Sequence, residues 1–186
     1  MNESVFDKAR NSEMQYGEIY FWTATIRNWH SLLMAENYKE IIIESLRNLS
    51  QRGLIDVFAF VIMPNHLHLI WRLNKLNGKE SPKSSFLKYT AHQFKKMLSV
   101  SGQNALLKYK VDSENKNYEF WKRDSLAIIL FTKEVALQKL TYIHNNPLAS
   151  HWNLACSPFD YYYSSAPYYE RDEKNFDFLK DLLLEF

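Results

Sequence analysis

The chain has one cysteine, four glycines and five prolines in 186 residues, and nowhere an apolar run near the roughly 18 residues that a membrane helix needs. The lone cysteine, Cys156, excludes an internal disulfide and a cysteine zinc cage, and suits a reducing compartment. The glycines form neither GxGxxG nor GxxxxGK, so the usual nucleotide-phosphate loops are absent. No Arg-rich leader or secretory pattern opens the sequence, and the chain is expected in the cytoplasm. Charge of one sign is scarce too. The net +2 permits a polyanionic partner without requiring one.

Apolar and aromatic residues are plentiful. An apolar fraction of 46% is ample for the core of one domain at this length. Twelve Tyr, twelve Phe and five Trp are enough to furnish stacking surfaces as well as core, with core packing the expectation for most of them. Residues 1–16 are polar and expected to form a flexible N-terminus. Residues 17–147 carry the periodic elements of a domain, and 148–186 form a tail with the aromatic cluster "FDYYYSSAPYY".

Within the domain, "EIYFWTATI" (18–26) reads as a strand, with a turn over 27–31. "ENYKEIIIESLRNLSQRG" has helical spacing through Tyr38, Ile42, Leu46 and Leu49, and Gly53 marks its stop. "LIDVFAFVIM" and "HLHLIW" are two apolar strands joined tightly at Pro64 and Asn65, as in a hairpin. A second helix is expected from Ser85, with Leu87, Ala91, Phe94 and Leu98 inward and Lys88, His92, Lys95 and Lys96 on a basic flank. That flank is a solvated face or a phosphate-tracking surface. Residues 99–118 read as an insertion or flexible loop. "SLAIILF" (125–131) is a fourth strand, and Thr132 can cap a third helix that Pro147 ends. The order β, α, β, β, α, β and then a helix is that of an α+β, ferredoxin-like (split βαβ) fold. It has an antiparallel sheet, helices on one face, and an extra C-terminal helix that carries Tyr142.

The two histidines of "HLH" demand a reason. On a strand, positions i and i+2 lie about 6.6 Å apart on one side, so His66 and His68 project in parallel while Leu67 and Leu69 face the opposite way. A single strand histidine is usually structural; two in register can share a metal ion, although two ligands are an incomplete shell. Tyr142 and Asn146 are spaced i, i+4 on the last helix and share a face, with Leu140 and Ile143 directed elsewhere. Neutral ligands leave a metal its full charge for polarising a phosphoryl oxygen, and a phenol on the adjacent helix can attack phosphorus.

Here the sequence resembles a family. "VIMPNHLHLI" is similar to the HUH motif of the single-tyrosine transposases, and "YIHNNP" to the tyrosine-helix motif of their REP-associated branch, which read MPNHxHxx and YIxxNP. The resemblance spans roughly 18–165 and includes "YFWTATI", Phe120–Trp121 and "DYYYSS". It implies a bacterial, cytoplasmic DNA transposase that cuts and rejoins single-stranded, hairpin-associated DNA through a 5′-phosphotyrosine. His66, His68 and Asn146 would then hold Mg²⁺ or Mn²⁺, and Tyr142 would attack. Insertion-sequence relatives usually carry Gln where Asn146 stands, and "PLASHWN" departs from their Gly-containing run after NP. The resemblance also implies a monomer or homodimer; with DNA as partner, the basic Lys88, His92, Lys95, Lys96 and Arg123 are the expected contacts. Two other readings compete: a DNA hairpin-binding protein with an inactive site, and a metal-dependent hydrolase in which water replaces Tyr142.

Overall fold

The computed structural model describes residues 13–101, 103–113, 116–123 and 125–186. Most of the expected N-terminal tail, 1–12, therefore lies outside the described residues. Met14 is buried, residues 15–18 are exposed, and the Gly17 amide donates to the carbonyl of Leu73.

β1 (Ile19–Thr25) alternates Trp22 and Ala24 on one side with Phe21, Thr23 and Thr25 on the other. After two 3₁₀ turns, α1 (Glu36–Gln51) buries Tyr38, Ile42, Leu46 and Leu49, and the chain reverses at Gly53, whose φ of 64° suits glycine. β2 (Ile55–Ile62) and β3 (His66–Leu73) form the hairpin. α2 (Pro82–Ser101) and the short α3 (Gln103–Leu107) follow, then β4 (Leu126–Ile129) and α4 (Lys133–Asn145). The Thr132 hydroxyl accepts from the Val135 amide as the N-cap of α4. α5 (Ala166–Arg171) lies in the tail.

All pairings among the four strands are antiparallel and their order is β2-β3-β1-β4. The strand that follows β2 sits between β2 and β1, as a ferredoxin-like split βαβ unit requires. α1 and α2 cover one face. Trp22 and Trp71 stack there with centroids 4.9 Å apart beneath Phe86 of α2, and Tyr38 of α1 meets Phe94 of α2 edge-on. α4 crosses the opposite face, where Tyr142 meets Phe21 and His68.

Two local expectations are corrected. α2 begins at Pro82, a turn before Ser85, because proline lacks only an amide that the first helical turn leaves unpaired anyway. Its innermost stripe is Phe86, Thr90, Phe94 and Leu98, with Leu87 and Ala91 half-buried. Thr90 can be buried because its hydroxyl donates to the Phe86 carbonyl (2.8 Å) and accepts from the Trp121 indole (2.9 Å). Residues 99–118 are also not wholly loop: α2 and α3 occupy part of them, and Tyr109 is buried against Phe120 with centroids 4.7 Å apart.

The tail lines the outer edge of β2. The Ile62 amide donates to the Tyr163 carbonyl, the Ser165 amide to that of Phe60, and the Lys180 amide to that of Val57. Buried Asp56 binds Arg72 and Lys180, and Arg72 also binds Glu185. A strand edge that would otherwise recruit another chain is thereby paired.

Candidate active site

The register of β1 against β3 sets Thr25 opposite His66 and Thr23 opposite His68. The two imidazole centroids are 4.7 Å apart. His68 Nδ1 is 2.8 Å from the Thr23 hydroxyl. His66 Nδ1 is 2.7 Å from Asn65 Oδ1, while Asn65 Nδ2 donates to the Trp29 carbonyl at 3.3 Å. A carbonyl only accepts, so this contact fixes the amide's orientation and turns its oxygen toward His66. The proton must then sit on His66 Nδ1, and the Nε2 lone pair is free. The turn itself is clamped: the Ile26 amide donates to the Asn65 carbonyl and the Leu33 amide to that of Pro64.

His66 and His68 are only 7% and 5% exposed, so the face they share is not the bare one that helices on a single side of the sheet would leave. α4 and the segment after it roof that face. Burial pushes His66 down to about 4, with nearby His151 adding to the effect. Burial pushes His68 down to about 3, with His66 and Lys139 contributing. Both rings are thus neutral at physiological pH, the state in which imidazole binds a metal.

Tyr142 stands over them, its ring 5.2 Å from His68 and 5.9 Å from Phe21, both edge-on, and remains 49% exposed. Asn146 begins a 3₁₀ turn directly after α4. The two histidines, Tyr142 and Asn146 line one cleft of about 650 Å³. The sequence-derived quartet is therefore brought together.

Four buried side-chain polar atoms lack a hydrogen-bond partner among the described residues, and two of them, His68 Nε2 and Asn146 Oδ1, belong to residues of this cleft. An unsatisfied buried acceptor is costly, and a cation would relieve that cost. Among the described residues no three His, Cys, Asp or Glu side chains form a metal-binding group. A metal here would rest on two imidazoles and an amide oxygen, a set that suits a borderline divalent ion.

The expected DNA-contacting cations lie elsewhere. Lys88, His92, Lys95 and Lys96 are on α2, across the sheet from the cleft. Lys88 is ion-paired with Glu80, and Lys95 lies 5.1 Å over the Tyr118 ring. Arg123 binds Glu119 at 3.1 Å in a separate hollow that shares Trp29 with the cleft. Unforeseen in the sequence are Thr23, Asn65, Trp29, His151 and Trp152, all of which contact the histidines or line the cleft. Only Asn65 has a local signal, its position in the tight turn before His66.

Among solved structures, the chain is similar to a REP-associated tyrosine transposase bound to a REP hairpin, at 19% identity and a TM-score of 0.60. The match covers 97% of this chain and 93% of that one. A weaker likeness, at 16% identity and a TM-score of 0.41, is to a candidate transposase from Deinococcus radiodurans R1, covering 73% of this chain and 95% of that one. No protein-family profile and no curated protein matches the sequence. What the first likeness carries is the fold, an antiparallel four-stranded sheet with helices.

Proposed function

We propose that this chain is an HUH single-tyrosine transposase of the REP-associated branch, which cleaves and rejoins single-stranded, hairpin-associated DNA through a 5′-phosphotyrosine. The observation that carries the reading is the convergence of Tyr142 with His66, His68 and Asn146 in one cleft, where two buried polar atoms are left unpartnered. The fold shared with a hairpin-bound transposase supports DNA as the partner.

His66, His68 and Asn146 would hold the divalent ion, Mg²⁺ or Mn²⁺, which when bound supplies positive charge for the scissile phosphate. The Tyr142 oxygen attacks phosphorus as its phenolic proton departs. The bond from phosphorus to the 3′-oxygen breaks, and that oxygen takes up a proton as the free 3′-OH. The bond energy stays in the phosphotyrosine, so a second 3′-OH can reverse the step and join a new strand. Tyr142 is both supported and accessible: Phe21 and His68 hold its ring edge-on, and half of its surface faces solvent. No carboxylate is among the residues lining the cleft, so no side-chain anion there repels a phosphate.

The test is incubation with single-stranded DNA carrying a hairpin from beside the chain's own gene, with Mn²⁺, followed by a denaturing gel. A covalent adduct that maps to Tyr142 is the expected result. An adduct on Tyr161, Tyr162 or Tyr163 would reassign the nucleophile, and cleavage without any adduct would favour hydrolysis by water.

A further inference from the structure

Beside the cleft, the chain does something uncommon at Asn28 and Trp29. Both have positive φ, 53° and 56°, a region that bulky side chains seldom adopt. The bend is fixed by backbone bonds: the Arg27 amide donates to the Phe120 carbonyl, and the Trp29 amide to that of Ile26. Asn65, which orients His66, holds the Trp29 carbonyl as well. The result is an indole 58% exposed to solvent, its centroid 6.4 Å from the His66 ring. Core packing does not explain it, since a buried tryptophan would face inward as Trp22 and Trp71 do.

Trp29 lines two hollows at once. One is the Tyr142 cleft, and the other is bounded by Arg27, Asn28, Glu119, Lys122 and Arg123. In the second, the single carboxylate of Glu119 binds Arg27 at 3.3 Å, Arg123 at 3.1 Å and Lys116. Lys122 has no ion-pair partner among the described residues, and its backbone amide is pinned to the Thr25 carbonyl at the end of β1. Three cations and one carboxylate line this hollow, an excess of two positive charges beside an exposed indole. An apolar flat face beside concentrated positive charge matches an unpaired base attached to its phosphate.

We infer that Trp29 is the stacking platform for an unpaired nucleobase flanking the reacting phosphate, and that Arg27, Lys122 and Arg123 bind the neighbouring phosphate of the same strand. This rests on the reading of the cleft as a single-stranded DNA site. It adds which residues hold the strand next to the point of attack.

The test uses the full chain without metal and two fluorescent strands of about 16 nucleotides. One is a random-sequence single-stranded DNA pool, and the other an abasic tetrahydrofuran strand with the same number of phosphates. Trp29→Ala is expected to weaken binding of the base-containing pool roughly tenfold, within the range for loss of one base stack, while leaving the abasic strand unchanged. Trp29→Phe should recover most of that loss, whereas Trp29→Leu, bulky but without a π face, should not. Lys122→Ala should weaken both strands alike and lower the slope of log affinity against log salt by about 0.7. Equal loss on both strands with Trp29→Ala, or no loss on either, overturns the platform while leaving the DNA reading intact. Failure of the wild-type chain to bind either strand overturns both.

Discussion

Asn65 is not among the proposed catalytic residues, yet it decides which nitrogen of His66 keeps a free lone pair. Its oxygen faces His66 Nδ1 because its amide nitrogen is committed to the Trp29 carbonyl. Asn65→Ala should leave the ring free to adopt either tautomer, and Mn²⁺ affinity measured by calorimetry should fall by about 10- to 100-fold. Asn65→Asp should restore part of it, since a carboxylate oxygen also accepts from Nδ1–H; unchanged affinity in Asn65→Ala would remove the orienting role. Tyr142 gives the complementary prediction. Tyr142→Phe keeps the ring against Phe21 and His68 and loses only one oxygen, so melting temperature and DNA affinity should hold within a few-fold while adduct formation on a denaturing gel vanishes. A persistent adduct in that variant would move the nucleophile elsewhere. These residues were legible because their spacings are local: period two on a strand for His66 and His68, i, i+4 on a helix for Tyr142 and Asn146. Thr23 and Trp29 were not. Thr23 meets His68 through the register of β1 against β3, and Trp29 is held beside His66 by the Asn65 amide on its carbonyl, contacts between distant segments that no local pattern encodes.

α4 is the element that converts an open sheet face into a cleft, and it is fastened where sequence periodicity gave no sign. His144 is buried on it, and its Nε2 lies 3.0 Å from the Ser165 hydroxyl, which also accepts from the Phe60 amide at 3.0 Å. One serine of the tail thus joins the tyrosine helix to the edge strand β2. Burial pushes His144 down to about 4, against an ordinary value of 6.5. Below pH 6.5 the unfolded chain takes up a proton that the folded chain refuses, so stability falls as pH drops from 6.5 and levels off below about 4. The displacement corresponds to roughly 3 kcal/mol for this one group. His66 and His68 are displaced in the same direction and add to the loss. Urea denaturation between about pH 7 and about pH 4 should show the decline, and His144→Gln, which can still hydrogen-bond Ser165, should make it shallower by the uptake of about one proton. An unaltered slope in that variant would mean that His144 is not held neutral. The helices and strands themselves were readable from hydrophobic period; what escaped were effects of context, such as Thr90, buried because the Trp121 indole reaches it, and the early start of α2 at Pro82.

At the scale of the molecule, positive charge is distributed over both sides of the sheet, and the near-zero net charge conceals it. On the cleft side are Arg27, Lys122 and Arg123, and on the α2 side are Lys95 and Lys96. The two meet round the end of the sheet where Ile26 bridges Trp121, because Glu119 of the first hollow is ion-paired to Lys116 of the second. In that second hollow Lys95 sits over Tyr118, again an aromatic face beside a cation. A strand leaving Trp29 toward the α2 side would therefore follow cations and rings continuously, whereas Lys88, paired with Glu80, is not among the residues lining either hollow. The sequence could place Lys95 and Lys96 on one helix flank but not relate that flank to the cleft, since the connection runs through the fold. This arrangement predicts a dependence on length. A single strand of about 4 nucleotides, enough for the cleft and Trp29, should bind the double variant Lys95→Glu, Lys96→Glu as well as it binds wild type. A strand of about 16 nucleotides should bind the variant more weakly, with a salt slope flattened by about 0.7 for each phosphate no longer neutralised. Equal weakening of both strands would place these lysines against the cleft-bound nucleotides themselves, in conflict with a helix on the far face. No weakening of either would make the α2 flank a solvated surface and confine the DNA to the Tyr142 side of the sheet.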